Sequence, residues 1–312
     1  MPAGDAARLL TLAAVWGASF LFIRVAVLEV PPVGVVEARL ALGALAIALY
    51  ALLIGQPRAL AGMRRPSAAA VGMVSAGLPY LCFAWGETRV ASGIAAICNA
   101  AAPLFSALIG QLLPHRPDSE RLTRVRAAGL AVGLGGVVAL VLAEGLGGQV
   151  DLLGLGVLLC APVLYAIGAF MARRVFAGDS PLVPAVSANG LAALIILPAA
   201  LAAGRPAHAV SIQAVLSLVA LGVGGTGIAY VLYYRLLESL GATGALTVTY
   251  LLPGFALVYG AVLLGEPVRP PAVLALALIL AGTALTNRVG TRGRPPASAL
   301  DQAEPASSDQ RS

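Results

Sequence analysis

The chain has 312 residues, 59% of them hydrophobic and only 11% charged, with a mean hydropathy of +0.92. A soluble domain carries about 25% charged residues, so this fold cannot cover its surface for water and its solvent must be largely lipid. The net charge of +6 comes entirely from arginines over acids; these arginines sit mostly in short segments between apolar runs, which argues against nucleic-acid binding and for loops facing an anionic membrane surface.

Ten apolar runs follow in chain order: 8–28, 33–54, 68–86, 91–113, 126–143, 152–173, 181–203, 212–236, 241–264 and 270–287. Each has the length of a helix crossing a bilayer, and a helix satisfies its own backbone hydrogen bonds there. The predicted fold class is therefore all-α integral membrane, with ten transmembrane helices. Arg8 precedes the first run as in a signal peptide, but Arg24 interrupts its end and a second run follows at once, so it is read as a retained span. Residues 288–312 are rich in Arg, Ser, Pro, Asp and Gln, the composition of a disordered tail.

Arginine placement sets the orientation. With the N-terminus in the cytoplasm, fifteen arginines fall on the cytoplasmic side and only Arg89, Arg205 and Arg269 on the other. Ten spans return the C-terminus to the cytoplasm as well. The expected localisation is a cytoplasmic (inner) membrane, multi-pass, with both termini cytoplasmic.

The chain also repeats itself. An offset of 150 residues pairs Gly77 with Gly227, Tyr80 with Tyr230, Phe83 with Tyr233, Pro103 with Pro253, Phe105 with Phe255 and Gly110 with Gly260. An offset of 149 places Trp16 on Tyr165. The predicted domains are 8–143 and 152–287, five helices each, followed by the tail 288–312. An odd helix count forces the halves into opposite orientations, so they form inverted repeats, which in carriers place the site between the halves near mid-membrane.

Several short motifs in fixed order resemble one family. These are Trp16-Gly17-Ala18-Ser19-Phe20, Arg39, Pro103-Leu104-Phe105, Gly227 with Tyr230, Pro253, Leu264-Gly265-Glu266, and Gly136 and Gly282. Together they resemble the drug/metabolite transporter superfamily, EamA type, over residues 8–287. The resemblance implies secondary or facilitated transport of small metabolites such as amino acids or amphipathic compounds, commonly export, by alternating access. In that family the fourth span also tends to end in Gly-Glu, whereas here the register places His115 and Arg116 there.

The candidate cavity residues are Trp16, Ser19, Glu37, Arg39, Tyr80, Asn99, Tyr230, Tyr233 and Thr249. Ionisable groups at membrane depth are costly. Arg39 is therefore read as an anchor for an anionic substrate group, with Glu37 as its partner or as a proton carrier, against the alternative of an interfacial ion pair. Arg24 has the same two readings, and Glu29 sits in the turn between the first two helices. Tyr230, Tyr233 and Tyr234 share a helical face, suited to flat apolar walls with hydroxyls or to an interfacial aromatic belt. Asn99, Thr247 and Thr249 precede Pro103 and Pro253, which are predicted helix kinks. Glu266 reads as a helix cap, a gate anchor or an interfacial side chain.

His115 and His208 read as loop histidines, and Cys82, Cys98 and Cys160 as packing residues. Gly222-Val223-Gly224-Gly225-Thr226-Gly227 fits a dinucleotide fingerprint only formally, because no strand precedes it; it reads as close helix packing, as does Gly129-x-x-x-Gly133. No nucleotide-binding, metal or nucleophile motif is present, so no cofactor, metal or enzymatic activity is expected. A membrane-embedded enzyme, a channel or a non-transporting membrane subunit are the alternatives. The expected partners are a small-molecule substrate and the lipid bilayer, with protons as a candidate coupling ion, no nucleic acid, and either a monomer or a homodimer.

Overall fold

A computed structural model describes residues 3–112, 123–146, 151–204 and 208–288. Among these, every regular element is helical. Ten membrane helices follow in chain order: α1 Ala3–Ala26, α2 Pro32–Leu53, α3 Pro66–Gly86, α4 Ser92–Leu112, α5 Arg124–Ala143, α6 Leu152–Val175, α7 Leu182–Ala202, α8 Ile212–Gly241, α9 Val248–Leu264 and α10 Pro270–Arg288. A short 3₁₀ turn, Pro57–Arg64, links α2 to α3. The start of α1 and the end of α10 lie at the same end of the bundle, called here the terminal end; the other is the far end. His115, Arg116 and the tail beyond Arg288 lie outside the described residues.

The helix starts follow local chemistry. Proline opens α2 and α3, where the missing N–H costs nothing. Thr123, Asp151 and Ser211 cap α5, α6 and α8 through their side-chain oxygens. Gly265 ends α9 in the left-handed region at φ 66°, and Glu266 N–H donates to the Gly260 carbonyl at 3.0 Å.

The ninth helix is shorter than the run 241–264 predicts. Gly241, at φ 69°, kinks the chain there, and a turn at Leu246 and Thr247 delays α9 until Val248. Thr247 thus precedes the helix and Thr249 stands in its first turn.

The halves are built alike. α2 and α7 begin 150 residues apart, and α3 and α8 each carry a π-helical segment, Met73–Gly77 and Ala220–Ile228, which the same offset superposes. Such wide turns shift the backbone pairing and leave carbonyls to other donors. Trp16 Nε1 uses one of them, donating to the Gly225 carbonyl at 3.2 Å.

Small residues set the helix spacing. A Cβ on Gly136 would lie 2.9 Å from the Ala275 carbonyl oxygen of α10, and one on Gly129 would lie 2.8 Å from the Gly282 carbonyl oxygen. In the formal glycine fingerprint, Gly222 and Gly227 meet Leu42 and Ala46 of α2, which is close packing and not a nucleotide loop. One large buried cluster joins α1 through α10 across both halves, and includes Phe20, Leu40, Phe83, Leu104, Leu158 and Leu252.

Candidate functional site

Between the halves lies a cavity of about 570 Å³, within the range of small-molecule sites. Its wall near mid-bundle is formed by Trp16, Ser19, Arg39, Ser75, Tyr80, Asn99, Tyr165 and Tyr230. Toward the terminal end it continues past Pro103, Gln111, Arg126, Arg173, Thr249 and Asn287. Arg173 and Asn287 are exposed at that end. Toward the far end the lining stops at Phe20, Ile23 and Phe83. Phe20 and Phe83 meet edge to face with centroids 5.4 Å apart. The cavity therefore opens at the terminal end and is roofed by an apolar layer.

Arg39 is the charged group deepest in this cavity and is only 8% exposed. Its guanidinium lies over the Tyr80 ring, 3.8 Å from the centroid, and Nε donates to Thr226 Oγ1 at 3.2 Å. No carboxylate lies within ion-pair distance of it among the described residues. The expected pairing with Glu37 is therefore not made. Two positions apart on a helix point roughly 200° apart, so when Arg39 faces the cavity Glu37 cannot. Glu37 does not line the cavity, and its Oε2 is buried without a hydrogen-bond partner.

The repeat equivalent of Arg39 is Asn189 of α7, and that of Tyr80 is Tyr230. Asn189 is fully buried beside Tyr230, with Nδ2 donating to the Ala185 carbonyl at 2.8 Å. The site has near-symmetric walls but one cationic side.

Of the remaining predicted residues, Trp16, Ser19, Tyr80, Asn99, Tyr230 and Thr249 all line the cavity. Tyr233 does not; it packs on Trp16 at 5.6 Å and lines, with Tyr230 and Tyr234, a neighbouring space of about 340 Å³. Asn99 ends the first part of α4, which breaks at Ala100 and Ala101 ahead of Pro103, itself a wall residue. Pro253 sits buried inside α9 and outside the wall. Trp85 lies under the Arg89 guanidinium at 4.4 Å. His208 is an exposed loop residue, and the three cysteines are free.

The far end is held shut by polar contacts between the halves. Glu29, in the turn after α1, accepts from Ser211 N–H and Oγ, both at 2.6 Å, at the start of α8. These bonds hold its carboxyl below the usual range. Glu266 reaches from the turn after α9 to the start of α4, where Ser92 N–H, Ser92 Oγ and Gly93 N–H donate to it at 2.9, 2.8 and 3.2 Å. The left-handed Gly265 aims that side chain, which accounts for the Gly-Glu pair: the carboxylate caps a helix of the other half. Arg89 and Asp151 form a third link at 2.7 Å.

One residue of this layer escaped the sequence reading. Glu87, just after α3, is fully buried, and neither carboxyl oxygen has a hydrogen-bond partner. Arg24 donates to its backbone carbonyl, not to its side chain. In the sequence Glu87 sits between Gly86 and Thr88, two residues before Arg89, as if in a hydrated turn; nothing local signals its burial.

The EamA-like transporter family matches residues 6–142 and 152–288. A probable terminal-alkyne amino-acid exporter from Streptantibioticus cattleyicolor is 29% identical over 275 residues, 88% of this chain and 90% of that protein. An uncharacterized transporter from Archaeoglobus fulgidus is 23% identical over 273 residues, 88% of this chain and 95% of that one. A solved crystal structure superposes on 94% of this chain and all of its own with a TM-score of 0.64 at 20% identity, a likeness of fold.

Proposed function

Because the chain belongs to the EamA-like transporter family, we propose that it is an alternating-access exporter of amphipathic amino acids or similar small carboxylates. Arg39 is the observation that carries this reading. It is a buried guanidinium on the cavity wall, braced by Tyr80 and Thr226, with no carboxylate of the described residues within ion-pair distance. A substrate carboxylate supplies the missing acceptors, while Trp16, Phe20 and Phe83 offer apolar surface to its side chain. Ser19, Asn99, Tyr230 and Thr249 remain for the amino group and other polar atoms. The relative from S. cattleyicolor, named as an amino-acid exporter, supports the substrate class.

The arginine bias supports a cytoplasmic terminal end. The cavity then opens to the cytoplasm, ready to load cargo, with the far end closed toward the exterior. Accessibility of single cysteines at Leu28 and Gln56 to an impermeant thiol reagent checks this, with Leu28→Cys labelled from outside and Gln56→Cys protected in intact cells.

The test of the site is counterflow of radiolabelled amino acids in proteoliposomes. A hydrogen-bonded charge of this kind contributes about 2 kcal/mol, so Arg39→Gln is expected to weaken the affinity of a transported amino acid roughly 30-fold. Unchanged affinity would remove Arg39 from the site. Absence of counterflow for every apolar amino acid in the wild-type protein would overturn the substrate class.

A further inference from the structure

Glu87 does not line the cavity, yet among the described residues it is the far-end carboxyl most completely withdrawn from water. It lies one helical turn beyond Phe83, to whose carbonyl its N–H donates at 2.9 Å, in the turn that also carries Arg89. The charged groups that act on it are Glu266 from the turn after α9, Arg24 of α1 and Arg39 of α2. None is bonded to its side chain: Glu266 is spent on the start of α4, Arg24 on the Glu87 carbonyl, and Arg39 on Tyr80 and Thr226. An ionised carboxylate in such a place has lost its hydration and gained no donor.

We propose that Glu87 is a proton-binding site, loaded from the far side of the membrane, whose protonation allows the far end to close. This rests on the reading that the chain alternates between two openings. With the far end open, water reaches Glu87 and it ionises as an ordinary carboxyl does. Closure strips that water away and is compatible only with the neutral acid, so each closing event takes up one proton at the carboxyl oxygen and each opening event releases it. Burial, and secondarily the Glu266 charge, push the Glu87 carboxyl up in the closed state, with Arg24 and Arg39 opposing.

The sign follows. Because the closed-state value is raised, the extra stability of the closed state is fully present below the ordinary carboxyl range and is lost as pH rises through the closed-state value. Glu29 acts oppositely. Ser211 holds its carboxyl below the usual range, so protonating it favours opening. A far end that closes as pH falls therefore cannot be attributed to it.

The test is a spin-label distance measurement in lipid nanodiscs, with Thr88→Cys and Val268→Cys labelled in a protein whose native cysteines are replaced by alanine. These positions lie in the two turns joined by the Glu266 contact. In the parent protein the long-distance, far-end-open population is expected to grow as pH rises above the ordinary carboxyl range. Glu87→Gln is expected to stay closed throughout, with that transition lost, while Glu87→Asp keeps a transition at a shifted pH. An unchanged transition in Glu87→Gln, or no transition in the parent, overturns the proposal. Should Glu87→Gln fail to accumulate, the aspartate variant decides: a transition at the parent's pH overturns the proposal and a shifted one supports it. No substrate is present, so the result does not depend on whether amino acids are the cargo.

Discussion

Arg39 and Tyr80 act as one unit. A guanidinium over an aromatic face is oriented by the ring quadrupole, which contributes about 1 kcal/mol when partly desolvated. The ring also keeps the charge on the cavity side of α2, where Thr226 takes only Nε. Tyr80→Leu is therefore expected to weaken amino-acid affinity about fivefold in counterflow, by freeing the guanidinium to other rotamers. Tyr80→Phe keeps the ring and should stay close to wild type. Equal losses in both variants would show that the hydroxyl, not the ring, matters. Arg39 was legible as a suspect because a charge at membrane depth is conspicuous. Its partner was not, since a ring 41 residues away becomes adjacent only when α2 and α3 pack.

At the scale of helices, the spacing of α5 and α10 is set by missing side chains. Gly136 and Gly135 are neighbours with opposite environments: a Cβ on Gly136 meets Leu278 and the Ala275 carbonyl at 2.9 Å, whereas nothing lies within 4 Å of one on Gly135. Gly136→Val is expected to cost about 2 kcal/mol through overpacking, read as a lower melting temperature in detergent. Gly135→Ala should not destabilise, since alanine is the better helix former. Similar losses in both would mean that helix propensity, not the seam, controls stability. The existence of these helices was legible from apolar runs and small-residue spacing. The start of α9 was not, because the run 241–264 is apolar throughout and only the positive φ of Gly241 and the following turn set where the helix begins.

For the whole molecule, the far end is a set of cross-half links, and the Glu29 link is one that acid weakens. Glu29 is held below the usual carboxyl range by Ser211. The stability it adds is present above the ordinary glutamate value of about 4.3 and is lost as pH falls through its lower value. In Glu87→Gln, where the far end stays closed as pH rises, distances between spin labels at Leu28 and Ile212 are thus expected to lengthen in strong acid, and with Glu29→Gln added to be long already at neutral pH. A Glu29→Gln protein with wild-type distances would show that this link does not hold α1 and α8 together.

Composition, apolar run length and arginine placement determined that this is a multi-pass helical membrane protein, because hydrocarbon tolerates little else. The 150-residue register determined the paired architecture, and with it the pairing of Tyr80 with Tyr230. What only the tertiary structure decided is which polar side chains meet across the halves. Glu29 with Ser211, Glu266 with Ser92 and Arg39 with Thr226 are each separated by well over a hundred residues, and no periodicity encodes such contacts. The burial of Glu87 is of the same kind. Its own turn would be hydrated in isolation, and it is the closing of other helices over it that removes the water.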